Sequence, residues 1–233
     1  MHARWNDSLR RIAMFALLLI AGAPCAAAAD KFDPARWEKD IAAFEAEDAA
    51  GKFAPGGIVF VGSSSIRRWD LAKSFPDLLV LNRGFGGSHL GDVAALAERI
   101  VIPYQPRVVV IYGGDNDMNA GKSPADVELA FRTLTDKLLA ALPETEIFYL
   151  AIRPTPKRKT LVAQQEEASH LIQAIVKTNP RLHYVDANGP ILGSDGVTRP
   201  EFLVADMLHL NDAGYAEWNK IIRPKLVAAM KRD

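Results

Sequence analysis

A single cysteine, Cys25, occurs among the 233 residues. One thiol can build neither a disulfide framework nor a cysteine-based zinc site. A dominant charge is missing too: 28 basic residues balance 28 acidic ones, so the chain lacks the basic field of a dedicated nucleic-acid binder. Internal repeats, low-complexity stretches and a dividing linker are also absent. The apolar run at residues 12–23 falls short of the roughly 20 residues that cross a bilayer as a helix. What remains is 49% hydrophobic and 24% charged, a balance that buries a sizeable core and excludes disorder.

The N-terminus reads as an export leader. Arg4, Arg10 and Arg11 precede the apolar run, and Pro24-Cys25 and four alanines follow it, the three parts of a secretory signal. Ala27 and Ala29 form the small-residue pair, which sets cleavage after Ala29. Two alternatives are an uncleaved anchor and a lipid-modified Cys25; Pro24 argues against the second, standing where a small residue is expected. The expected division is a leader at 1–29 and one domain at 30–233. Removing the leader takes away three Arg and one Asp, leaving 25 basic and 27 acidic residues and no cysteine. This implies a periplasmic or secreted bacterial protein of net charge −2, with no stable membrane insertion after cleavage. It also excludes thiol catalysis.

Five short apolar runs, at 58–61, 78–81, 108–112, 147–152 and 182–185, read as strands, most of them buried on both faces. Helical periodicity separates them at about 90–101, 124–141 and 160–178, with a further helix at 34–49 capped by Asp33 and a last one at about 212–231. Strands alternating with helices predict an α/β fold, a three-layer sandwich around a parallel sheet. In such sheets chemistry gathers beyond the carboxyl ends of the strands. Polar and glycine-rich clusters stand at nearly every one of those places: Gly62 to Ile66, Asn82 to His89, Gly113 to Asp117, and Arg153-Pro154. A further cluster, Asp206 to Asn211, precedes the last helix.

Acyl transfer needs a nucleophile, a base, a carboxylate to orient the base, and donors for the oxyanion. Ser63, Ser64 and Ser65 are all candidate nucleophiles, with turn chemistry or helix capping as the bland alternative. His209 is a candidate base, and Asp206, three residues earlier, would share its face in a helical turn. Gly87 and Asn116 are candidate oxyanion donors, one through a backbone N–H and one through a neutral amide. Asp115, Asn116 and Asp117 offer hard oxygen ligands, but their spacing is not that of a calcium loop and no histidines accompany them, so no metal and no cofactor are expected. The Gly-x-Ser-x-Gly elbow fails at Ile66, and a dinucleotide fingerprint fails at His89. His89 could reach a substrate or simply be solvated. Arg153 could meet an anionic or sugar substrate, or form a solvated ion pair. His170 and His183 are assigned to structure.

Taken in order, the clusters resemble the sequence blocks of the SGNH/GDSL hydrolase superfamily. Phe60-Val61-Gly62-Ser63-Ser64 is similar to the first block, usually Gly-Asp-Ser, with Ser63 in place of the aspartate and Trp69 where many members have one. Asn82 to Gly87 is similar to the second block, Gly114-Asp115-Asn116-Asp117 to the third, and Asp206-Met207-Leu208-His209 to the fifth. The resemblance covers nearly the whole domain and implies a five-stranded, flavodoxin-like α/β/α sandwich. It implies Ser64 as nucleophile, His209 as base and Asp206 as its orienting acid. The implied oxyanion hole is formed by Ser64 and Gly87 N–H and the Asn116 amide. It implies a serine esterase acting on a small-molecule or glycan ester, with short acyl groups on carbohydrates as the first expectation. A lysophospholipase or thioesterase, an acyltransferase and a non-catalytic carbohydrate-binding module are the alternatives.

Overall fold

A computed structural model of the chain describes residues 33–51 and 54–231. The leader expected at 1–29 lies outside the described residues. In chain order the elements are α1 (Glu38–Ala49), β1 (Ile58–Gly62), α2 (Ser64–Arg67), α3 (Leu71–Ser74), β2 (Val80–Gly84), α4 (Leu90–Ile100) and β3 (Val108–Tyr112). They continue with α5 (Asp115–Asn119), α6 (Pro124–Ala141), β4 (Glu146–Leu150), α7 (Val162–Val176), β5 (Leu182–Val185) and α8 (Asp212–Met230). All five strands are parallel, in the order β2-β1-β3-β4-β5. The expected α/β/α sandwich with a five-stranded parallel sheet is what the chain forms.

The two-residue period of the strands sorts the core into two halves. Val59, Val61, Val109, Ile111, Ile147 and Tyr149 share one buried cluster with residues of α1, α4, α6 and α7. Ile58, Phe60, Val108, Val110, Phe148 and Leu150 join Ile66, Trp69, Phe75 and the α8 residues Trp218, Ile222 and Leu226 in the other. On that second face Trp69 lies 5.3 Å from Tyr215 and 5.5 Å from Trp218 between ring centroids. This packs the segment after β1 against the last helix.

Several boundaries depart from expectation; the fourth strand, for one, ends at Leu150 and not at 152. The second strand begins at Val80, two residues later than expected, because Phe75–Leu78 closes a turn (Leu78 N–H to Phe75 O, 3.1 Å). It then runs through two polar residues. Asn82 donates to the carbonyls of Ile66 and Trp69, and buried Arg83 pairs with Glu47 and Asp48 of α1 and with Tyr104. The first helix starts at Glu38, because the chain from Pro34 to Arg36 is a 3₁₀ turn, in which Asp33 accepts from Ala35 N–H at 3.0 Å.

β1 and β3 are the neighbours at which the chain reverses its direction of winding. There Gly62 pairs with Tyr112 at φ +135°, and a Cβ at Gly62 would sit 1.9 Å from the Tyr112 carbonyl oxygen. Gly62→Ala should therefore cost about 3 kcal/mol or more, from backbone strain plus overpacking, a fall in Tm of roughly 6–12 °C for a domain of this size. Gly91→Ala, at a helical position where a new Cβ meets nothing within 4 Å, should instead leave stability unchanged or raise it by up to about 1 kcal/mol. Thermal denaturation of the two variants checks the pair.

Candidate active site

After Gly62 the chain cannot continue as strand. Ser63, at φ −84° and ψ −164°, caps a four-residue helix, and its N–H reaches the Tyr112 carbonyl at 3.1 Å. Ser64 is thus the first residue of α2. The three serines separate by environment. Ser63 and Ser65 are 1% and 3% exposed, while Ser64 is half-buried and its Oγ lies 2.7 Å from His209 Nε2. His209 Nδ1 lies in turn 2.6 Å from Asp206 Oδ2.

Asp206 and His209 sit on a loop between the bridged residues Leu203 and Leu210, not on the helical turn expected for their three-residue spacing. Met207 takes φ +58°, a conformation uncommon for a side chain of its size. Asp206 Oδ1 accepts the backbone N–H groups of Leu208 and His209, each at 2.9 Å. Three successive carbonyls of the loop are tied down: Met207 O by Lys157 N–H, Leu208 O by Arg153 Nη2 at 2.6 Å, and His209 O by Val204 N–H. Partial burial alone would raise the Asp206 carboxyl. The hydrogen bonds from the His209 ring and from the two backbone N–H groups outweigh it and hold the carboxyl well below the usual carboxylate range.

Arg153 is not the solvated ion pair that was one expectation for it. It is 1% exposed, with its guanidinium 5.1 Å from the Trp218 ring and 5.7 Å from that of Tyr112. Its long stem carries the charge under the His209 loop, where it holds the Leu208 carbonyl. His89 is not solvated. At 7% exposure it is the residue just before α4, its Nδ1 is 3.3 Å from Lys122 Nζ, and its backbone N–H donates to Asp92. His183, on β5, pairs with Glu146 and stacks on Phe148.

Gly87 takes φ +78° as the third residue of a turn closed by Ser88 N–H to Phe85 O. Asn116, near the start of α5, donates from Nδ2 to Ser88 O at 3.1 Å, so the second and third clusters touch directly. Its Oδ1 accepts from Arg158 Nη2 at 2.7 Å, a contact that sequence reasoning missed. Arg158 stands in the run Lys157-Arg158-Lys159, which reads as a solvated charge run and carries no local signal of burial. Asp115 accepts from Arg158 Nη1 at 2.6 Å, and Asp117 accepts from Leu90 N–H. Burial pushes the Asp117 carboxyl up against the opposing pull of His89 and Lys122. Asp117 Oδ1 is buried without a hydrogen-bond partner among the described residues, with Lys122 Nζ at 3.9 Å.

A serine, a histidine and a carboxylate hydrogen-bonded in series at the switch point of a parallel sheet are the arrangement of a serine hydrolase of the α/β/α type. Residues 53–217 match the GDSL-like Lipase/Acylhydrolase family, and the chain belongs to that family, within the SGNH/GDSL superfamily. It is 24% identical over 182 residues to the platelet-activating factor acetylhydrolase IB subunit alpha1 of Homo sapiens, covering 76% of this chain and 78% of the relative. The solved structure of a GDSL-like lipase from Bacteroides thetaiotaomicron superposes with TM-score 0.68 at 19% identity, over 81% of this chain and 98% of that one. A carbohydrate esterase family 3 protein from Talaromyces cellulolyticus superposes with TM-score 0.58 at 19% identity, over 76% and 98%.

The depressed Asp206 carboxyl has a testable sign. Its charge stabilises the fold at every pH above the unfolded value of about 3.9, and that contribution is lost as pH falls from there toward the folded value. The Tm gap between wild type and Asp206→Asn should be present at pH 7 and narrow progressively below about pH 4. Melting curves between pH 7 and pH 2.5 check this, and a gap that widens toward acid contradicts it.

Proposed function

We propose that the chain is a serine esterase that removes short acyl groups from carbohydrate esters through an acyl-enzyme. The observation that carries the reading is the unbroken series Ser64 Oγ, His209 Nε2, His209 Nδ1, Asp206 Oδ2, with hydrogen bonds of 2.7 and 2.6 Å. Ser64 Oγ attacks the ester carbonyl and passes its proton to His209 Nε2, while Asp206 stabilises the imidazolium and fixes the ring. The tetrahedral oxyanion collapses, the C–O bond to the alcohol breaks, and His209 protonates the departing alkoxide. Water then attacks the acyl-Ser64 ester, giving its proton to His209, and Ser64 leaves with that proton. The N–H groups of Ser64 and Gly87 and the Asn116 amide stabilise both oxyanions. Ser63, in the position where the family usually has aspartate, does not enter these steps.

Two features support the choice of substrate. The Asp206 side chain is 40% exposed and Ser64 half-buried, so the site opens at the surface, where a bulky polar alcohol can stay in water. A relative named as an acetylhydrolase and a fold neighbour named as a carbohydrate esterase are consistent with a short acyl group. Export through a cleaved leader belongs to the same proposal, and the intact mass of the protein recovered from a bacterial periplasm tests it.

Ser64→Ala should abolish labelling by a fluorophosphonate probe and lower hydrolysis of p-nitrophenyl acetate by about 10⁴-fold or more, and Asn116→Ala should lower kcat by about 10²–10³. Full activity in Ser64→Ala would end the proposal. Activity should fall as the acyl chain of the p-nitrophenyl ester lengthens and should extend to acetylated sugars; a preference for a lysophospholipid or a long-chain thioester would redirect the substrate assignment. Adding a polyol acceptor distinguishes hydrolysis from acyl transfer by its products.

A further inference from the structure

We propose that Arg158 is a positioning residue for the oxyanion hole: it fixes which end of the Asn116 amide faces the reacting carbonyl. The inference rests on the esterase reading above and assigns a role to a residue outside the motifs that led to it.

An asparagine amide can occupy its site in two orientations of almost equal shape, and only its environment distinguishes them. For Asn116 the environment is one-sided. Arg158 Nη2 stands 2.7 Å from Oδ1, and a guanidinium has donors only. Turned over, the amide would set its NH₂ against the Nη2 hydrogens in a place where Arg158 is 8% exposed, leaving donors facing donors without water. At the other end Nδ2 donates to Ser88 O at 3.1 Å, which would be lost as well. With Oδ1 held by a cation, one Nδ2 hydrogen is spent on Ser88 and the second is free to meet an oxyanion. The charge on Arg158 also draws electron density toward Oδ1, which strengthens the remaining N–H as a donor.

The guanidinium is itself held. Its Nη1 donates to Asp115 Oδ2 at 2.6 Å, and Asp115 Oδ1 accepts the Asn116 backbone N–H at 3.0 Å. Asp115, Arg158 and Asn116 thus close a ring of hydrogen bonds in which the charges cancel and the fork geometry suits two acceptors on adjacent residues. Arg158 reaches this point from the 3₁₀ segment Pro156–Leu161, whose regular dihedrals break at Arg158 itself (φ −121°, ψ 28°). A segment kept only to connect β4 with α7 has no need of a buried guanidinium there. Because Ser88 directly follows Gly87, the same amide also ties the second oxyanion donor to the third cluster. Arg158 therefore orients both donors that Ser64 does not supply.

The test is a double-mutant cycle with Asn116→Ala, read on p-nitrophenyl acetate with active-site titration by a fluorophosphonate and with Tm. Arg158→Met is paired with Asp115→Asn, so that no buried carboxylate is left unpaired, and Arg158→Lys keeps a cation against Asp115 where the larger change unfolds the chain. Both should lower kcat by about 10- to 100-fold, less than the loss of the donor itself, with KM moving less than about threefold. In the Asn116→Ala background the same changes should cost less than about threefold, because the amide they orient is gone. Equal losses in both backgrounds, a change confined to KM, or unaltered kcat would overturn the proposal. An active Ser64→Ala would instead bring down the esterase reading, whereas loss of activity in Ser64→Ala and Asn116→Ala with Arg158 neutral would remove only the role of Arg158.

Discussion

The arrangement turns on the close approach of two backbones at the carboxyl end of the sheet. Where β1 meets β3, Gly62 lies so near the Tyr112 carbonyl that no side chain fits, and Ser63 N–H bonds to that same oxygen. The contact stops β1, turns the chain into α2 and sets Ser64 on the first turn beside the cluster that follows β3. A larger residue at 62 would part the two strands and with them Ser64 and Asn116. The chemistry is thus assembled at the place where the winding of the sheet reverses, where neighbouring loops leave in opposite directions and open a cleft.

Around that contact, three arginines that are nearly or wholly buried do the holding. Arg83 fastens β2 to α1 through Glu47 and Asp48, Arg153 grips the Leu208 carbonyl beneath His209, and Arg158 grips Asp115 and Asn116. Burying a guanidinium is costly unless its donors are well used; Arg83 and Arg158 spend theirs on carboxylates and an amide, whereas Arg153 gives one to a carbonyl and leaves Nε and Nη1 without a hydrogen-bond partner among the described residues. Arginine suits the task because its planar fork fixes a direction as well as a distance. The aromatic faces of Tyr112 and Trp218 against Arg153 show how one such charge is accommodated with a carbonyl as its hydrogen-bond acceptor.

Much of this was legible in the sequence, for physical reasons that also explain the gaps. β1 and β3 are interior strands, so their unbroken apolar runs announced them within a residue. β2 is an edge strand whose length includes Asn82 and Arg83, and hydrophobicity alone placed it two residues early. The loop of Asp206 and His209 was recognisable by its residue types but not by its shape, since nothing about Met207 signals a left-handed backbone. Arg158 drew no reading, and the two readings of Arg153 did not include burial, because burial of a guanidinium depends on partners 42 to 55 positions away. Local pattern reports the sheet and the motif residues; the groups that aim those residues come from distant segments and leave no local trace.

The Ser64–His209 hydrogen bond joins residues 145 positions apart, and this has a consequence for the order of events in folding. Ser64, the proposed nucleophile, is set by the first strand, but His209, its proposed base, arrives only with the segment leading into the final helix, after every strand of the sheet has been made. Contacts of such separation close late, because the entropy of the intervening loop must be overcome first. During synthesis the chain can therefore carry a formed sheet and a correctly turned Ser64 while still unable to attack an ester. On the proposed mechanism, hydrolytic competence would be the last property the molecule acquires, and on local unfolding of the His209 loop the first one lost.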